Sequence, residues 1–115
     1  MSMSNSNSDN LFENPEDQKL VTLAQATLKR SGAKQAAALR DNTGRTYVAV
    51  PVNSPSLALD AVEAVFAVAM ASQISGIEAA VFTGERSAKT AVITEFAPSA
   101  AIFFANEGAA PDKIA

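Results

Sequence analysis

The sequence predicts an α/β fold, a mixed sheet layered with helices, on three observations. Leu57 to Gly76 (LALDAVEAVFAVAMASQISG) is apolar except at Asp60, Glu63, Ser72, Gln73 and Ser75. Within it Val62, Val65, Phe66, Ala69 and Met70 recur at helical spacing, and Ala64, Ala67 and Ala71 line the other side. A helix so apolar all round is expected to be buried on both sides. Next, Gln35–Arg40 and Arg45–Val52 flank Asp41-Asn42-Thr43-Gly44, a quartet of turn formers that closes an antiparallel hairpin. Finally, after Gly76 apolar strand-like runs alternate with a helical one, as in parallel strand–helix–strand units.

In chain order, Met1 to Glu13 is Ser/Asn-rich, without a charged and apolar leader, and is expected to be a disordered tail. Asn14-Pro15-Glu16-Asp17 then starts a helix, with a capping Asn, Pro in the first turn and acids at the positive end of the dipole. Leu20, Leu23, Ala24, Thr27 and Leu28 form its inward stripe. Lys29, Arg30 and Gly32 suit its end. On the second strand of the hairpin Thr46, Val48, Val50 and Val52 share one face, and Tyr47 and Ala49 the other. Pro51 puts that end at a sheet edge or outside the sheet. Asn53-Ser54-Pro55-Ser56 reads as a loop, with Ser54 or Ser56 as cap of the central helix. Ile77–Thr83 is a third strand, Ser87–Phe96 a short helix ending before Pro98, and Ala100–Ala105 a fourth strand covered on both faces. The folded unit spans residues 14–108, and residues 109–115 form a C-terminal tail.

Composition narrows the chemistry. With 115 residues, 48% of them hydrophobic, one domain with a modest core is expected. A net charge of −3 provides no basic footprint for nucleic acid or an anionic membrane, and Tyr47 is the only aromatic besides phenylalanine. Asp60 and Glu63 inside the apolar segment, without aromatic or basic flanks, argue against a membrane span. The chain has no Cys and no His. Thiol and imidazole mechanisms are therefore out of reach, as are the usual zinc ligands. Nothing points to an oxidising compartment, and a cytoplasmic location is expected.

Two motifs stand out: Ala36-Ala37-Ala38-Leu39-Arg40 with a turn ending at Gly44, and Val92-Ile93-Thr94-Glu95-Phe96-Ala97-Pro98, a strand, then Asn106-Glu107-Gly108. Together they resemble the cytidine deaminase family: the first is similar to its opening hairpin, the second to its Val-Leu-x-Glu-Phe-Ala-Pro, strand, Asn-x-x-Gly close. The resemblance covers residues 16 to 108 and implies a three-layer α-β-α fold with a mixed sheet. It also implies homodimers or homotetramers packed through the alanine-rich helix. In zinc deaminases His- or Cys-Ala-Glu opens one helix and Pro-Cys-x-x-Cys the next. Here Arg86 and Lys89 stand where the paired cysteines belong. The first motif falls near Ala61-Val62-Glu63, so Glu63, or a neighbour one residue away, matches the proton-shuttling glutamate. The ribose-contacting Asn-x-Glu maps to Pro51-Val52-Asn53 or a residue away.

These positions supply the candidates: Glu63 as the catalytic residue, Asn53, Asp60, Arg86 and Lys89 as binding residues, and no metal ligand or cofactor. Arg86 paired with Asp60 or Glu63 would pin the two helix starts together. The competing reading is solvated surface charges worth little each. A second reading makes Arg86, Lys89 and free N–H groups near Ser87 an anion site, against an ordinary capped helix. Expected partners are a second copy of the chain and a nucleoside or small anion, with no nucleic acid and no membrane. The leading expectation is a zinc-free, catalytically silent deaminase-like protein serving as an oligomeric binding or regulatory module. The alternative is an active nucleoside deaminase, or another hydrolase using the same cleft.

Overall fold

The computed structural model describes residues 14–115. The expected disordered tail, residues 1–13, lies outside them. Helix α1 (Pro15–Ser31) starts where the local chemistry places it, with the Asn14 side chain accepting from the Glu16 N–H at 2.9 Å. It stops at Gly32, whose φ of 68° is the left-handed conformation that closes a helix. Its inward face carries Asp17, Leu20, Val21, Ala24 and Thr27, while Leu23 and Leu28 are half-buried at its margin.

The main sheet has the order β2-β1-β5-β6-β7. Strand β1 (Gln35–Asp41) pairs antiparallel with both β2 (Thr46–Ala49) and β5 (Ile77–Gly84), and β6 (Ala101–Phe104) runs parallel to β5. This is a mixed sheet with an antiparallel hairpin and one parallel strand–helix–strand unit. Helix α1 packs on one face over Ala38, Val48, Ala79, Val81 and Phe103. Helices α2 (Ala61–Ala71) and α3 (Ala91–Phe96) pack on the other, over Leu39, Tyr47, Phe82, Ile102 and Phe104. The layers are α-β-α. Every residue of β1 is buried, so the sheet's centre is covered on both faces.

Several boundaries differ from the sequence expectation, each for a physical reason. The central helix begins at Ala61 and not at Leu57, because Asp60 caps it. Leu57–Leu59 instead forms β4, paired in an exposed hairpin with β3 (Val52–Ser54). The predicted loop and the end of the predicted second strand are that hairpin, turning at Pro55-Ser56. Helix α2 is covered on one side only: Ala61, Val62, Ala64, Val65 and Ala69 are buried, whereas Val68 and Met70 are 45% and 37% exposed. Helix α3 begins at Ala91 instead of Ser87, since the preceding loop is held by bonds described below. The C-terminal segment is not merely a tail. Strand β7 (Asp112–Lys113) pairs with the outer edge of β6 and gives its backbone groups partners. Among the described residues no helix is long and apolar enough to cross a membrane.

Candidate functional site

The start of β1, the start of α2 and the β5–α3 loop meet at one end of the sheet. Helix α2 enters through a capping box. The Asp60 carboxylate accepts from the Glu63 N–H at 2.8 Å, and Glu63 Oε1 accepts from the Asp60 N–H at 3.0 Å. The other Asp60 oxygen accepts from the Lys89 backbone N–H at 2.7 Å, so this single carboxylate ties α2 to the loop before α3.

Gln35, only 1% exposed, completes the junction. Its Oε1 accepts from the Ala61 N–H at 2.9 Å, and its Nε2 donates to the carbonyls of Glu85 and Ser87 at 2.7 and 2.9 Å. The loop is brought this close by Gly84. Its φ of +96° and its contact with Lys34 leave no room for a side chain, and the Glu85 N–H donates to the Lys34 carbonyl at 2.9 Å. Asn106 fixes the loop from the far side, its Oδ1 accepting from the Thr83 hydroxyl at 3.0 Å and the Gly84 N–H at 2.7 Å.

The predicted residues are distributed unevenly over this arrangement. Asp60 and Glu63 lie at the junction and bind each other's backbone. Lys89 contributes its N–H to it, while its side chain is exposed. Arg86 does not bridge to Asp60 or Glu63. Its guanidinium pairs with Asp112 at 2.7 Å and lies 4.8 Å over the Phe104 ring, tying the loop to the C-terminal segment. Asn53 is exposed on β3, in register with Ala58, and makes none of the junction's hydrogen bonds. The anion reading loses its basis at the backbone, because the Lys89 N–H is already taken and Ser87 precedes the helix instead of opening it.

Sequence reasoning missed Gln35 and the close approach of loop and strand that Gly84 allows. The available signal was a glutamine leading the otherwise alanine-rich strand Gln35-Ala36-Ala37-Ala38.

The family description cytidine deaminase-like matches residues 13–109. The chain belongs to the cytidine deaminase-like family. Among solved structures, the cytidine deaminase from Burkholderia pseudomallei superposes with a TM-score of 0.72 at 20% identity, over 85% of this chain and 91% of that one. No curated protein matches.

The zinc that the resemblance implies does not fit the residues present. A tetrahedral zinc site draws on thiolate and imidazole donors, and the chain has neither. Both Asp60 oxygens and one Glu63 oxygen already accept backbone N–H groups. Among the described residues no three acidic side chains cluster as a cation site would require.

Proposed function

We propose that this chain is a catalytically silent, zinc-free member of its family that works as an oligomeric binding or regulatory module. The observation that carries this reading is the engagement of Glu63. Glu63, which lies at or within one residue of the place that the resemblance gives to the family's proton carrier, holds its own helix cap through a 3.0 Å bond from the Asp60 N–H. It does so in a chain without a thiol or an imidazole to hold a water-activating metal. The supporting test is a turnover assay with cytidine and deoxycytidine, with and without added zinc. No uridine or deoxyuridine is expected, and measurable formation of either overturns the reading.

The module's self-association is assigned to the outer face of α2. Ala67, Val68, Met70 and Ala71 are exposed there, small and apolar residues that let a second backbone approach. A dimer or tetramer in sedimentation at micromolar concentration supports this, and a clean monomer contradicts it. A nucleoside or small anion remains the ligand class of the proposal, met by the exposed side chains of Arg86 and Lys89. A thermal shift that grows with ligand concentration is its readout. A cytoplasmic setting belongs to the same proposal.

A further inference from the structure

We propose that the Gln35 carboxamide is the strut of this junction, giving it the cross-link that a tetrahedral metal would otherwise supply and making it indifferent to metal. The comparison with a metal rests on the zinc-free reading above; the strut stands on its own hydrogen bonds.

A carboxamide offers two N–H donors and one carbonyl acceptor from a single planar group. Here both faces are used by separate segments. Nε2 reaches the Glu85 and Ser87 carbonyls, and Oε1 receives the Ala61 N–H. The orientation is dictated by the partners, since the opposite flip would set an oxygen against two carbonyls and an NH₂ group against an N–H. Gln35 is itself 1% exposed, so water has little access to its carboxamide. The partners are also groups that the fold leaves open: the Ala61 N–H belongs to the first turn of α2, where no helical carbonyl precedes it. Backbone bonds run alongside the strut, with the Glu85 N–H on the Lys34 carbonyl. Of the side chains described at the junction, Gln35 bonds to both the start of α2 and the carbonyls of the loop. Asp60 is its counterpart from the helix side, tied to the Lys89 N–H.

The strut demands an amide and not merely a side chain of the right size. Gln35→Glu keeps the shape but turns an oxygen toward the two carbonyls. Gln35→Met keeps the volume and removes every bond. At pH 7 both variants are expected to melt more than about 10 °C below the parent, given three hydrogen bonds lost in Gln35→Met and two set against carbonyl oxygens in Gln35→Glu. The glutamate variant carries a pH signature as well. Burial and the facing carbonyls raise the pKa of the introduced carboxyl, so its stability comes closest to the parent's at low pH, where the acid can donate. That stability is lost as pH rises through the raised pKa, and Gln35→Met has no such limb. In the unmodified protein, the side-chain NH₂ protons of Gln35 are expected to exchange roughly 100-fold more slowly than those of an exposed glutamine. Melting is expected to shift by less than about 3 °C with either chelator or zinc.

Slow exchange, depressed melting and the acid recovery of Gln35→Glu support the strut. Free exchange of the Gln35 NH₂ protons overturns it even if neither variant folds. Parent-like melting of either variant overturns it too, and a larger zinc or chelator shift overturns the metal independence. Uridine formation would sink the silent-module reading while leaving the strut in place, so the two fail separately.

Discussion

Gly84 is where the packing of the junction can be tested most directly. The substitution is Gly84→Ala, and the structure sets its cost. With φ at +96°, an L-residue is strained by about 1–2 kcal/mol before any contact is considered. The added methyl would also overlap the Lys34 carbonyl oxygen and come within 3.0 Å of Gln35 Cα and 3.1 Å of the Lys34 carbonyl carbon. All three are backbone atoms, so no rotamer change relieves the clash. The start of β1 has to retreat from the loop, which sacrifices the Glu85–Lys34 bond and stretches the Gln35 contacts, at about 1 kcal/mol for each hydrogen bond lost. The total is about 3–4 kcal/mol, or a melting point lower by about 15–25 °C in a domain of this size. Gly44→Ala is the internal control. Its φ is +91° but nothing lies within 4 Å of the new methyl, so only the conformational cost of about 1–2 kcal/mol is due. Thermal and urea unfolding of the two variants separate clash from strain. If Gly84→Ala is no more than about 0.5 kcal/mol worse than Gly44→Ala, the close approach of loop and strand is not rigid and the reasoning fails.

Two other predictions concern charges placed by the sheet. Burial would raise the Asp41 carboxyl, but hydrogen bonds from the Thr43 hydroxyl and the Arg45 and Thr43 N–H groups, with the charge of Arg45, outweigh it and hold the pKa below the ordinary range. A depressed pKa stabilises the fold above the unfolded value near 4 and loses that contribution as pH falls through the folded value. Asp41→Ala should therefore destabilise the protein at pH 7 by roughly 2 kcal/mol and flatten its acid limb in urea titrations below about pH 4. Arg40 and Asp17, with side chains 6% and 10% exposed and 3.0 Å apart, pin α1 to the sheet. Asp17→Ala strands the guanidinium beside the half-exposed Glu78 and should cost about 3 kcal/mol by chemical denaturation. The paired change Asp17→Leu with Arg40→Met should recover most of that loss, because the Arg40 Nη1 already lacks a partner and is removed with it.

Legibility in the sequence followed the range of the interactions. Helix α1 could be bounded from residues 14–32 alone, because its cap, its first-turn proline and its terminal glycine all act within a turn of the chain. The β1–β2 turn was equally local, with Asp41 binding residues two and four positions on. The β3–β4 hairpin was hidden because its residues are all exposed or half-buried, leaving no apolar alternation, and because Pro51 and Pro55 bracket β3 and make it read as a loop. The same apolar run that announced α2 concealed its first residue, since Leu57, Ala58 and Leu59 satisfy a strand as readily as a helix. At the site, Asp60 and Glu63 were visible three residues apart. The Arg86 pairing is not legible in the sequence, because its partner, Asp112, comes from a segment that reads as a plain tail. Gln35 was legible only as a polar residue heading an alanine-rich strand, and its role was not, since its partners lie 26, 50 and 52 residues away.

On the zinc-free reading proposed above, that range dependence bears on how the fold would stand without a metal. A structural zinc can contribute on the order of 10 kcal/mol to a small domain, whereas each hydrogen bond of the junction contributes about 1 kcal/mol net. The Gln35 and Asp60 bonds can therefore replace a metal in geometry but not in energy. The difference has to come from the layer below, where Ala61, Val62 and Val65 are at most 1% exposed against Leu39, Phe82 and Ile102. A few such side chains buried at about 1.5–3 kcal/mol each reach the same magnitude. On this accounting the polar groups at the two loops specify how the segments meet, and the apolar face of α2 supplies the strength that keeps them there. Weakening Val65 should then loosen the junction as surely as Gln35→Glu, with one difference: it would do so at every pH.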